Sequence, residues 1–137
     1  MKLTITRRTD LALRALRLLE ADGGIMRASE MAPALLSTPH YLPQVLRPLV
    51  RAGWLASEPG PTGGYGLAGP LADRSILALI EAIEGPTDNG VCVLSGGPCA
   101  GQVECSLHAP WLAARAALLE RLADIPISDL NKKGAES

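Results

Sequence analysis

Residues 85–111, GPTDNGVCVLSGGPCAGQVECSLHAPW, constrain the chain more than any other stretch, because they hold all three cysteines and one of its two histidines. The spacers are rich in Gly, Pro, Ser and Ala, which bend tightly but bury little apolar surface, so the segment needs something else to order it. Three thiols cannot all pair within one chain, and there is neither a signal peptide nor an apolar run of spanning length. Reduced thiols in a cytoplasmic protein without a membrane segment are therefore expected. Six residues separate Cys92 from Cys99, five separate Cys99 from Cys105, and His108 follows Cys105 by three. On a helix that last spacing puts Cys105 and His108 on one face. Four such ligands suit zinc, copper(I) or an iron–sulfur cluster. The absence of a CxxC pair makes zinc the weaker choice, and reactive redox thiols or inert packed cysteines are the alternatives.

The chain on either side reads as helical. At 137 residues it has the size of one domain, and its apolar 47% contains no Phe, which leaves Leu, Ala, Val and Ile to build the core. The net charge of -1 hides an asymmetry: residues 1–74 hold nine Lys/Arg against six Asp/Glu (+3), and residues 75–137 hold four against eight (-4). The basic half is the candidate anion binder.

Thr9 and Asp10 precede LALRALRLLEA, whose leucines fall on a helical stripe, and Asp22-Gly23-Gly24 ends it. Ile25 and Met26 can pair briefly as an extended segment. Ser29 is the expected N-cap of a short second helix with Met31 and Leu35 facing inward. Thr38 with Pro39 opens a third, carrying Tyr41, Leu42, Val45, Leu46 and Leu49, with a kink expected at Pro48 and a stop at Gly53. Trp54 to Ser57 and Tyr65 to Ala68 then flank a Pro- and Gly-rich tip, which predicts a hairpin. A helix pair followed by a hairpin describes a winged helix-turn-helix. Asp73 or Ser75 caps a fourth helix with Ile76, Leu79, Ile80 and Ile83 on one face. After the cysteines, WLAARAALLERLA forms a longer helix, apolar over much of its circumference; it serves either two-fold dimerisation or the intrachain core.

The segments MKLT, TDLALRAL, TPHYLPQVLRPLVRAGWL, GGYGLA and ILALIEAIEGP, with the three cysteines, together resemble the Rrf-two family of winged-helix bacterial regulators over nearly the whole chain. The resemblance implies a mainly α fold with a small β-hairpin wing: residues 1–72 as the winged helix-turn-helix, and residues 73–137 as dimerisation helices with a cluster-binding loop at 85–110, in one compact unit. It implies a homodimeric transcription factor, a repressor of operator DNA, controlled by an iron–sulfur cluster that senses nitric oxide, redox or cluster status. Cys92, Cys99 and Cys105 would be the cluster thiolates. For the fourth ligand, CSLH is similar to the family's cluster-assembly branch and points to His108 and a [2Fe–2S] cluster. TDLALRAL is similar to its nitric-oxide-sensing branch and points to Asp10, reaching across the dimer to a [4Fe–4S] cluster. The longer match favours Asp10.

For DNA contact, Thr38, His40 and Tyr41 stand at the start of the recognition helix, and Arg47 and Arg51 lie further along as phosphate partners. Arg7, Arg8 and Arg14 can add backbone charge. Where the family's wing carries an arginine before its first tip glycine, this chain has Pro59 after Glu58, so minor-groove readout by the wing is weakened. A zinc-stabilised or thiol-based regulator without a cluster is the alternative. An enzyme is disfavoured, because no second titratable group lies near His108 in sequence to form an acid–base pair.

Overall fold

The computed structural model describes residues 3–88, 90, 93–94 and 106–130. The first helix, α1 (Arg7–Asp22), begins earlier than the sequence suggests. Thr6, in extended conformation, caps it by accepting the Thr9 amide at 3.2 Å. Asp10 therefore lies inside the first turn rather than ahead of the helix. Leu11, Ala12, Ala15, Leu16 and Leu19 form the buried stripe, and Gly23 closes the helix at φ 78 by donating to the Leu19 carbonyl.

The second helix, α2 (Ala28–Ala34), also starts ahead of its expected cap: Arg27 occupies the cap position, Ser29 lies within the helix, and the Glu30 carboxylate accepts the Arg27 amide at 3.3 Å. Met31 and Leu35 are buried as expected. The turn that follows contains Leu36 at φ 53, the one non-glycine residue with positive φ among those described. Thr38 caps the approach to α3 (Leu42–Arg51), its hydroxyl accepting the Tyr41 amide at 3.0 Å, and the helix continues past Pro48. Leu42, Val45, Leu46 and Leu49 point inward at a helical period.

Strands β1 (Leu55–Glu58) and β2 (Gly64–Leu67) pair antiparallel with Leu55 opposite Leu67 and Glu58 opposite Gly64, each shifted slightly from its expected limits. The expected extended pairing of Met26 is present: Met26 and Tyr65 exchange amide–carbonyl bonds of 2.9 and 2.7 Å. That close approach explains the glycine, since a Cβ at Gly64, where φ is 147, would collide with the Met26 carbonyl.

After a 3₁₀ turn at Leu71–Asp73, Ser75 caps α4 (Ile76–Glu84), accepting the Ala78 amide at 3.0 Å. Helix α5 (His108–Ala123) packs against α4, and the chain beyond it returns to the start of α4. There the Ile76 amide donates to Ile125 at 2.9 Å and the Ile127 amide to Arg74 at 2.8 Å. Ile127 is fully buried in a second 3₁₀ turn, Ile127–Asp129. One core joins α1, α3, Trp54 and Leu55 to Ile76, Leu79, Ile80, Ile83 and Ile127. The Arg74 guanidinium stacks 4.9 Å above the Trp54 ring, tying the hairpin base to the approach of α4. Helix α5 contributes no fully buried residue; Leu112 and Leu118 are 48% and 47% exposed. Among the described residues, no helix is long and apolar enough to cross a membrane.

Candidate nucleic-acid interface

The inward face of α3 is fixed by its leucines, and this turns His40, Gln44, Arg47 and Arg51 outward, spaced four, three and four residues apart. With Arg8 from the first turn of α1, and with Pro39, Pro43 and Pro48, they line a groove of about 660 Å³. No carboxylate lines it, so its field is uniformly attractive to phosphate. Of the expected DNA-contacting residues, the groove gathers Arg8, His40, Arg47 and Arg51. Thr38, Tyr41 and Arg7 are exposed but stand outside it. Thr38 acts as a cap, and Tyr41 is 40% exposed rather than part of the core. Gln44 went unnoticed in the sequence, although it lies on the same helical stripe as the two arginines; its amide donates to the His40 carbonyl at 3.5 Å. At the wing, Glu58 and Pro59 are exposed, and residues 54–68 contain no Lys or Arg.

On the opposite side of the first turn of α1, Asp10 meets Arg14. The Arg14 Nε donates to Asp10 Oδ2 at 3.1 Å, and Arg14 Nη1 donates to the Leu35 carbonyl at 3.2 Å. One guanidinium thus links a candidate metal ligand to the turn between α2 and α3. The Asp10 and Arg14 side chains are 51% and 45% exposed, so their pair contributes only about 0.3–0.5 kcal/mol. The carboxylate can exchange this partner for another at little cost.

Cys92, Cys99 and Cys105 lie outside the described residues. Just ahead of that segment, the Thr87 amide donates to Glu81 of α4 at 3.4 Å, and Arg115 of α5 pairs with Asp88 at 3.4 Å. His108, exposed, is the first residue of α5. Among the described residues, no three His, Cys, Asp or Glu side chains come together as a metal site. Another concavity, about 620 Å³, runs between α4, α5 and residues 3–5, and is mainly apolar, with Ile76, Ile80, Trp111, Leu118 and Leu122 in its walls.

The family model described as "Rrf2: Iron-dependent Transcriptional regulator" matches residues 5–133. The HTH-type transcriptional regulator IscR of Vibrio atlanticus (strain LGP32) is 32% identical over 92 residues, 67% of this chain and 53% of that protein. The chain spans about half the length of the IscR relatives it matches. Protein aau3 of Rhizobium meliloti (strain 1021) is 29% identical over 130 residues, 93% of this chain and 84% of that protein. Among solved structures, CymR (YrzC), the global cysteine regulator of B. subtilis, superposes with a TM-score of 0.74 at 26% identity, covering 94% of this chain and 96% of that one. T. potens IscR shares the fold, with a TM-score of 0.72 at 22% identity over 99% of this chain and 91% of that one. With its winged helix-turn-helix and its outward-facing basic groove, the chain belongs to the Rrf2 family, whose model is described as an iron-dependent transcriptional regulator.

Proposed function

We propose that this chain is a homodimeric repressor whose affinity for double-stranded operator DNA is set by an iron–sulfur cluster held in the cysteine loop. Residues 1–72 bind DNA, and residues 73–137 carry the dimer contacts and the loop. Helix α5 supports the dimer reading, since leucines left half exposed along an apolar groove are what a second copy covers. His40 and Gln44 face base edges from the start of α3, while Arg8, Arg47 and Arg51 neutralise phosphates. Thr38, Tyr41 and Arg7 stand at the edge of that surface.

Cys92, Cys99 and Cys105 supply three thiolates, a donor set that suits iron and sulfide, with Asp10 of a second copy or His108 as the fourth ligand. Bound there, the cluster supplies iron that reacts with nitric oxide and changes oxidation state. The observation that carries the reading is Arg14, which bonds both Asp10 and the Leu35 carbonyl. As a ligand Asp10 would be drawn from Arg14, and the guanidinium would be left on the Leu35 carbonyl at the turn that precedes α3. Asp10, and with it a [4Fe–4S] cluster, is favoured over His108 and [2Fe–2S] because this link runs from Asp10 to the turn that precedes α3. A ten-fold change in operator affinity requires only about 1.4 kcal/mol of difference between the two states.

The likeness to a global cysteine regulator supports a second reading, a thiol-based or zinc-stabilised regulator without a cluster. Anaerobic purification, followed by an absorbance spectrum with iron and sulfide counts, separates the two. A brown protein with matching iron and sulfide is expected; a colourless, iron-free protein would leave the thiol or zinc reading in its place.

A further inference from the structure

We propose that Glu84 is a positioning residue that ties the root of the cysteine loop to the first turn of α1. Glu84 is the last residue of α4, and Gly85, at φ 89, begins the loop. Its Oε2 accepts the Thr6 amide at 3.4 Å and also the Thr9 hydroxyl. The two threonine hydroxyls lie 3.1 Å apart, and Thr6 Oγ1 accepts the Thr9 amide. Thr9 is 0% exposed and is the one buried polar residue of the described core. A buried hydroxyl is costly unless it is bonded, and here its acceptor comes from 75 residues away. The carboxylate also sits at the positive end of α1, where the helix dipole favours it. A shift of the loop root therefore acts on the α1 cap within the same chain, beside Arg8 of the basic groove and Asp10. This connection is separate from the Asp10–Arg14 link and needs no second copy.

The inference rests on the loop being the sensing element, but its test requires neither cluster nor DNA. In metal-free full-length protein, the cysteines are alkylated with iodoacetamide, mass spectrometry confirms the modification, and amide hydrogen exchange is followed in peptides spanning residues 6–9. In the wild-type chain, alkylation is expected to speed exchange there about ten-fold, the loss of a charge-assisted hydrogen bond. Thr9→Ser keeps the hydroxyl and should respond in the same way. Thr9→Val loses the hydroxyl contact but keeps the Thr6 amide on Glu84, and should respond by only a few-fold. Glu84→Gln retains an acceptor oxygen and the fold, and should respond by only a few-fold, in keeping with a weaker neutral bond. An unchanged rate in the alkylated wild-type chain, or a full response in Thr9→Val or Glu84→Gln, overturns the proposal. Iron content and operator binding, measured on the same preparations, report on the sensing reading separately: their failure beside an intact exchange response would remove that reading and leave the clamp standing.

Discussion

Replacing Leu36 with Asn or Gly is expected to stabilise the protein, although Leu36 lies in the turn that sets the recognition helix. Its φ of 53 places a branched side chain in the left-handed region, where the Cβ crowds the following carbonyl at a cost of about 1–2 kcal/mol. Burial returns nothing, since the side chain is 93% exposed. Glycine removes the crowding but adds about 0.4–1 kcal/mol of unfolded-chain entropy, leaving a net gain near 0.5–1 kcal/mol. Asparagine tolerates the conformation without that entropy and should gain about 1 kcal/mol. For a domain of this size 1 kcal/mol corresponds to about 3–4 °C in Tm. Leu36→Ala keeps the Cβ and should gain nothing. The assay is thermal unfolding of metal-free protein at one fixed concentration, because the proposed dimer would make Tm depend on concentration. If Asn and Gly both lower Tm, or Ala raises it as much as they do, the strain argument is wrong and the leucine contributes a contact of its own.

The basic groove predicts that Arg47→Ala and Arg51→Ala each reduce the slope of log affinity against log salt by about 0.9, read from operator binding between low and moderate salt. Gln44→Ala should leave that slope intact and instead relax preference at one base pair, at a cost of about 1–3 kcal/mol against the best sequence. Gly64→Ala forces a Cβ onto the Met26 carbonyl and should lose more than about 2 kcal/mol in chemical denaturation. Leu118→Asp puts a charge into the α5 groove; analytical ultracentrifugation should give a monomer mass while the circular dichroism spectrum stays native, because Leu118 is half exposed within its own chain.

Much of this architecture was legible because it is local. The leucine stripes of α1 and α3, the Ser75 and Thr38 caps, the Gly23 stop and the hairpin all follow from residue chemistry within a few positions. The helix starts were harder. Over Thr6 to Thr9 the sequence offers two threonines around two arginines, so apolar periodicity is silent where the first turn forms. At α2, an arginine with no acceptor holds the cap position, and only Glu30, reaching back, marks the boundary. Non-local contacts left little signal: nothing in Ile125 and Ile127 announces their pairing with residues 74–76, and nothing in Leu36 announces a left-handed backbone. In the site, Arg47 and Arg51 were found by charge, whereas Gln44 needed the helical stripe to be followed through an uncharged position. Arg14 was read with Arg7 and Arg8 as charge for the DNA backbone, and its bond to the Leu35 carbonyl emerges only from the packing of α1 against the helix pair.

The most direct test of the central claim is operator affinity, measured anaerobically for cluster-loaded protein, cluster-free protein and Cys99→Ala. The account predicts that the loaded form differs from the cluster-free form by about ten-fold or more, at least 1.4 kcal/mol, and that Cys99→Ala behaves as cluster-free. Equal affinity in all three would contradict it.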